Sequence, residues 1–362
     1  MEPPAVTVEA LPAGYGDSVL ITCALGTGVW RLLVDTGPDE CWPSLKRRLE
    51  QIPVDRNGKR HIDLAVISHI DHDHIGAARA LFNDRSLGLT FGDIWFNAPP
   101  RPASRGVAEG QSLSSLLGAE HTDLPWNKVW GGQPAVTTAT APFVEVPCDK
   151  GKPQITLLSP TPATLATLFK VWDKELQRLG RSEEPEPKRP ASRGAMDLEA
   201  LASKTTATDH APANGSSIAF LLEHQGSSVL LGADAYAPVL VEALEALATH
   251  RAVSLPWQLD VFKLSHHGSR ANITVDLFQA VQAKHYIVST NGAIFGHPDE
   301  EAIARVVVNG GKQRSIWFNY RNEHTTKWGS AELRARYGYS VGLAEDGQGG
   351  ATIALPKHSK SR

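Results

Sequence analysis

The stretch Ser68-His69-Ile70-Asp71-His72-Asp73-His74-Ile75-Gly76 limits what this chain can fold into more than any other. Three histidines and two aspartates fill positions 69 to 74, directly after the apolar run Leu64-Ala65-Val66-Ile67. A short apolar run of this kind reads as a buried strand, and Ile75 to Phe82 reads as the start of a helix. Side chains alternate along an extended segment, so His69, Asp71 and Asp73 project to one side, and His74 follows as the chain bends into the helix. Imidazole and carboxylate together suit zinc, manganese or iron, and five potential ligands exceed one tetrahedral site. The stretch therefore predicts a two-metal centre. His72 is expected to point away from its neighbours, beside the site or exposed.

The rest of the chain repeats the device of a strand that ends in a polar group. Val6–Leu11, Ser18–Cys23 and Trp30–Val34 read as strands, the last ending at Asp35-Thr36-Gly37. Helical spacing of Trp42, Leu45, Leu49 and Ile52 follows, then the strand that carries the ligand run, which suggests an α/β layer. Asp35 and Asp17 are expected to support the site rather than ligate. After Asn214, Ile218–Leu222 and Ser228–Leu231 form a hairpin pattern ending at Gly232-Ala233-Asp234. A further strand, Leu259–Leu264, ends at Ser265-His266-His267-Gly268-Ser269, and Tyr286–Ser289 leads to Gly296-His297-Pro298. A single strand-end Asp or His means little, but three more in this order point to one shared centre.

Between about 84 and 213 the pattern weakens, apart from a strand at Ile155–Leu158 and a helix from Pro162 to about Leu179. The Pro- and charge-rich segment from Arg181 toward Ala213 reads as mobile surface. The net charge of -3 gives no global basic footprint, although a local basic groove is not excluded by it. Cys23, Cys41 and Cys148 are widely spaced and make no CxxC, which argues against a disulfide framework or zinc finger and for a reducing compartment. No signal-peptide pattern and no spanning apolar run is visible, so the expected location is cytoplasmic, with no membrane partner.

In order, these motifs resemble the metallo-β-lactamase superfamily, and within it the hydrolase domain of ComEC-type DNA-uptake proteins. The superfamily's HxHxDH becomes HxDxDH here, with Asp71 in place of the second histidine. Asp35-Thr36-Gly37, Asn214 with Ser216-Ser217, Gly232-Ala233-Asp234-Ala235, His266-His267-Gly268-Ser269 and Gly296-His297-Pro298 continue the match to about Val308. Tyr15 and Ala233 depart from it, since a glutamine and a glycine-aspartate pair are common there, and nothing in this sequence matches the membrane channel of the full uptake protein.

The resemblance implies a four-layer αββα sandwich, here a hydrolase domain over 1–312 with a variable region at 84–213 and a C-terminal extension at 313–362 packed on it. It implies two divalent ions, Mn2+ or Zn2+. His69 and Asp71 would hold one, Asp73 and His74 the other, with Asp234 bridging, His267 as a later ligand and Asn214 where relatives carry a histidine. Asp73 would also orient a bridging hydroxide, and His297 or His266 would protonate a leaving oxygen. The expected function is a metal-dependent phosphodiesterase or nuclease, acting on nucleic acid or another nucleotide-type phosphodiester. Lys263 and Arg270, flanking the second histidine motif, favour a phosphate-bearing ligand. The alternatives are a lactone, thioester or small-phosphodiester hydrolase, and a metal-stabilised binding subunit that uses the C-terminal extension for a protein partner.

Overall fold

Alternating burial builds two sheets, and their faces sort the side chains into three cores. The computed structural model describes residues 3–99, 113, 124–179, 196–345 and 347–357. In the first sheet, β1 (Val6–Ala10), β2 (Val19–Ala24), β3 (Val29–Val34), β4 (Arg60–Val66) and β5 (Leu89–Trp95) lie side by side in chain order. The second sheet begins with β6 (Val144–Val146), β7 (Gln154–Ser159), β8 (Ala219–His224) and β9 (Ser227–Leu231), and continues through β10 (Trp257–Lys263) and β11 (Val281–Val288). β12 (Ser315–Phe318) and β13 (Ser340–Leu343) extend this second sheet, while β14 (Ala351–Leu355) returns to pair with β1.

Period-two alternation decides which core each residue joins. On β3, Leu32 and Val34 face the second sheet and meet Phe220, Leu222 and Val261, whereas Leu33 faces outward. That outer face is covered by the helices Trp42–Glu50 and Ala78–Asn83, through Leu45, Leu49, Leu81 and Phe82. The second sheet's outer face is covered by Ala237–His250, Val275–Ala280 and Glu300–Asn309, through Leu240, Leu244, Leu277 and Ile303. The order is helix, sheet, sheet, helix, the αββα sandwich expected from the sequence.

Residues set apart as a C-terminal extension contribute strands to both sheets, and Trp328 and Phe318 are buried in the second sheet's outer core. The segment expected to be mobile surface divides in two. Residues 181–195 lie outside the described residues; from Met196 onward the chain runs mostly along the surface, but Leu198, Ala202 and Ala213 are buried. Asp197 caps the helix Leu198–Ser203, accepting from the Ala200 N–H at 3.0 Å, and Leu198 and Ala202 enter the core beside the helix Glu300–Asn309. A helix this short shows no usable period, and its Pro-rich flank dominates the composition. Among the described residues, no helix is long and apolar enough to cross a membrane.

Within the first sheet β3, β4 and β5 are parallel, and within the second β9 to β13 are parallel. Parallel strands deliver their C-terminal ends to one edge, where ligand sites of α/β sheets lie.

Candidate metal centre

Three of these strand ends turn sharply before presenting a side chain. Asp35 follows β3 with φ 59, Ala233 follows β9 with φ 43, and His266 and His267 follow β10 with φ 48 and 53. Non-glycine residues in the left-handed region are uncommon and cluster at functional sites, because surrounding structure must hold them there. Close approach is demanded at two glycines. A Cβ on Gly16 would run into the Asp73 carbonyl, and one on Gly232 into Ser265 Oγ.

Asp35 organises the first motif. Its Oδ1 accepts from the Ser68 N–H at 2.7 Å and its Oδ2 from Ser68 Oγ at 2.8 Å. The same Oδ2 lies 2.8 Å from His74 Nδ1, and an ionised carboxylate only accepts, so His74 carries its proton on Nδ1 and turns Nε2 inward. Ser68 directs its hydroxyl proton to Asp35 and therefore accepts from His69 Nδ1 at 3.0 Å, which leaves His69 Nε2 facing the same point. The two rings lie 4.2 Å apart between centroids.

Asp234 lies among these nitrogens, with Oδ1 3.4 Å from His74 Nε2 and Oδ2 3.9 Å from His69 Nε2. Asp71 Oδ2 is 3.5 Å from His69 Nε2. Asp73 Oδ2 is 3.7 Å from His74 Nε2 and 2.9 Å from His267 Nε2. His267 donates from Nδ1 to the Ser289 carbonyl at 2.8 Å, so its Nε2 also faces inward. The structure thus brings His69 and Asp71 to one side of Asp234, and Asp73, His74 and His267 to the other.

Asn214 belongs to a buried helical turn, Pro212–Gly215, and its Oδ1 is buried without a hydrogen-bond partner. His266 Nε2 lies 3.7 Å from Asp234 Oδ2, and the His297 ring lies 5.3 Å from that of His266. His72 turns outward, 3.3 Å from Asp39. Lys263, expected beside a phosphate, is instead fully buried and bonded to Asp17 Oδ2, because β10 places it beneath the site. Asp17 Oδ1 in turn lies 3.3 Å from His267 Nδ1.

Above the cluster opens a cleft of about 990 Å³, whose walls include Asp71, Asp73, Asn214, His266, Lys204 and Arg270. Lys204 and Arg270 share Glu301 Oε1, at 2.7 Å and 3.5 Å. One buried guanidinium, Arg305, ties this wall together by donating to the carbonyls of Ala202, Lys204, Arg270 and Ile273 and to Thr206 Oγ1. Lys204, Thr206, Asp209, Asn272 and Arg305 were missed by sequence reasoning. A Lys204 or an Asp209 in a polar stretch has no local signature, and the neighbouring helix Leu198–Ser203 is too short to supply one.

Crowding of carboxylates and imidazoles shapes the protonation of the metal-free cluster. Burial pushes the His267 imidazole down, but Asp17 and Asp234 outweigh it and raise the group to about 10. His266 is pushed down by burial and raised by Asp234 and Asp209 to about 9, and His74 is raised against burial by Asp234, Asp73 and Asp35. Burial raises the Asp234 and Asp73 carboxyls, yet the neighbouring imidazoles hold both below the ordinary range. His297 is held well below its ordinary value by burial and by His266 and His267.

Buried polar groups are normally paired, and leaving one unpaired costs roughly 1–3 kcal/mol. His69 Nε2, His74 Nε2, Asp234 Oδ1 and Asn214 Oδ1 are all buried without a hydrogen-bond partner among the described residues. Asp17, His74, Asp234 and His267 each bring a ligand-type atom within 4.8 Å of one another. Nitrogen and oxygen donors converging in this way, with Nδ1 protons already committed elsewhere, fit divalent cations.

No protein-family model matches the sequence, and no curated protein matches it. Among solved structures, the chain is similar to the metallo-beta-lactamase fold protein YhfI from Bacillus subtilis, at 12% identity and a TM-score of 0.44 over 96% of this chain and 99% of that one. It is also similar to Igni18, a metallo hydrolase from the hyperthermophilic archaeon Ignicoccus hospitalis, at 13% identity and a TM-score of 0.37 over 96% of this chain and 99% of that one.

Proposed function

We propose that this protein is a metal-dependent phosphodiesterase acting on nucleic acid or another nucleotide-type phosphodiester. The observation that carries the proposal is the set of inward, unpartnered atoms His69 Nε2, His74 Nε2 and Asp234 Oδ1 beneath a cleft that also presents Lys204 and Arg270. His69, Asp71 and Asn214 would hold one divalent ion, and Asp73, His74 and His267 a second, with Asp234 shared. Ions bound there supply Lewis-acid chemistry: they lower the pKa of a water and neutralise charge growing on a phosphoryl oxygen.

The remaining work belongs to side chains. Asp35 and Ser68 hold His74 and His69 in the tautomers that turn Nε2 inward. Lys204 and Arg270 are the cations of the cleft wall that would meet an anionic substrate, both held by Glu301. His266 keeps one proton on Nδ1 for Asn272 Oδ1 at 2.9 Å, so Nε2 is the atom that delivers a proton to a leaving oxygen. His297, held neutral, lies beside it at 5.3 Å between ring centroids.

The test uses metal-stripped protein restored with Mn2+ or with Zn2+, presented with single- and double-stranded DNA, RNA and bis(p-nitrophenyl) phosphate. Asp71→His replaces a hard oxygen with a softer nitrogen and should move the preferred metal from manganese toward zinc. Cleavage of lactones or thioesters by the loaded protein, with no phosphodiester cut under either metal, overturns the proposal.

A further inference from the structure

One carboxylate outside the proposed ligand set controls the hydrogen-bond polarity of an entire wall of the site. Asp209 Oδ1 accepts from the Ala211 N–H at 2.9 Å. Its Oδ2 accepts from Asn214 Nδ2 at 2.7 Å and from Asn272 Nδ2 at 3.1 Å, and lies 3.4 Å from His266 Nδ1. An amide can present either its oxygen or its NH2, and what stands behind it decides which. Because an ionised carboxylate only accepts, both asparagines must turn their NH2 groups toward Asp209.

That choice propagates. With its NH2 held at Asp209, Asn214 is obliged to turn Oδ1 away, and this is the buried oxygen that lacks a partner. Asn272 Nδ2 also donates to the Asp234 and Ala235 carbonyls at 3.2 Å each, so its Oδ1 can only accept. It accepts from His266 Nδ1 at 2.9 Å, which commits that ring proton and leaves Nε2 toward Asp234. Two amides and one imidazole take their orientation from a single side chain.

We propose that Asp209 is a positioning residue of the metal centre, aiming the Asn214 oxygen and His266 Nε2 at the Asp234 side of the cluster. The inference rests on the reading of this cluster as a metal site and concerns one residue within it. Partners that orient ligands from behind typically change metal affinity by about 10- to 100-fold when removed.

The experiment is calorimetric titration of the metal-free full chain with Mn2+, alongside its thermal midpoint without metal. Asp209→Ala should weaken Mn2+ binding by about 10-fold or more and also lower the metal-free midpoint, because the Asn214 and Asn272 NH2 groups lose an acceptor; the affinity loss, measured well below that midpoint, is what a merely structural role would not produce. Asn214→Leu should lose a similar amount, and the double variant little beyond either single, because both changes remove one interaction. Asp209→Asn keeps the volume, and its single oxygen can serve the two amides or Ala211 but not both. It should fall between wild type and Asp209→Ala, and it carries the test if the alanine variant does not fold. Wild-type Mn2+ affinity in the folded Asp209 variant, or additive losses in the double, overturns the inference. Absence of Mn2+ binding by the wild-type chain instead overturns the metal-site reading on which it stands.

Discussion

Replacing Lys263 by methionine should destabilise the protein by about 3–5 kcal/mol, the range observed when one partner of a buried ion pair is removed. Lys263 and Asp17 are each only 2% exposed, so neither charge is solvated once its partner is gone. Burial pushes the Asp17 carboxyl up, but Lys263 first, then His267 and His74, pull it far below the ordinary value of 3.8. A depressed carboxyl contributes stability that is present above its unfolded pKa and lost as pH falls through its folded pKa. Without Lys263 the largest opposing charge is lost and the folded pKa rises. The deficit of Lys263→Met against wild type should then be largest at pH 7 and shrink as acid protonates Asp17. Urea unfolding of metal-free protein at pH 7 and pH 5 reads both effects. Asp17→Asn combined with Lys263→Met removes both charges at nearly constant volume and should recover most of the loss. A single variant within 1 kcal/mol of wild type, or a double variant as unstable as the single, refutes the reasoning.

Three further outcomes are expected. Elemental analysis of gently purified or reconstituted protein should find close to two transition-metal ions per chain, and Asp234→Ala should lose at least one. Mn2+ loading should release protons and weaken as pH falls, because His74 and His267 are raised in the metal-free cluster and must yield protons to bind cations; calorimetry in two buffers of different ionisation enthalpy measures the release. Lys204→Ala and Arg270→Ala should each raise KM for a phosphodiester several-fold with little change in kcat, since both stand in the cleft wall rather than at the cluster.

How much of this could be read in the sequence depended on distance along the chain. Residues 69 to 74 declare their chemistry locally, and the strands ending at Asp35, Asp234 and His267 announce themselves by alternation followed by a polar turn. The pairing of Asp17 with Lys263, 246 positions apart, leaves no such trace, and a lysine next to a histidine motif reads naturally as a substrate contact. Asp209 was hidden differently. It follows a Pro- and charge-rich stretch, and its importance comes from Asn214, His266 and Asn272, which only the folded chain brings to it. The role of β14 was equally invisible, because pairing it with β1 closes a sheet across nearly the whole chain.

The placement of Lys263 bears on substrate choice in a way its sequence position conceals. Five aspartates surround the cluster, and if all five charges reached the cleft, two divalent ions would not leave it cationic. They do not act alike. Asp17 is neutralised from beneath by Lys263, and Asp35 is occupied by the Ser68 N–H, the Ser68 hydroxyl and His74 Nδ1. Of the five, Asp71, Asp73 and Asp234 stand toward the cleft, whose walls also carry Glu175 and Asp299. Two dications would offset these three cluster carboxylates, while Lys204 and Arg270 in the wall stand against Glu301, Glu175 and Asp299. The buried lysine thus removes one carboxylate charge, that of Asp17, from the balance the cleft presents to an anion, without lining the cleft itself.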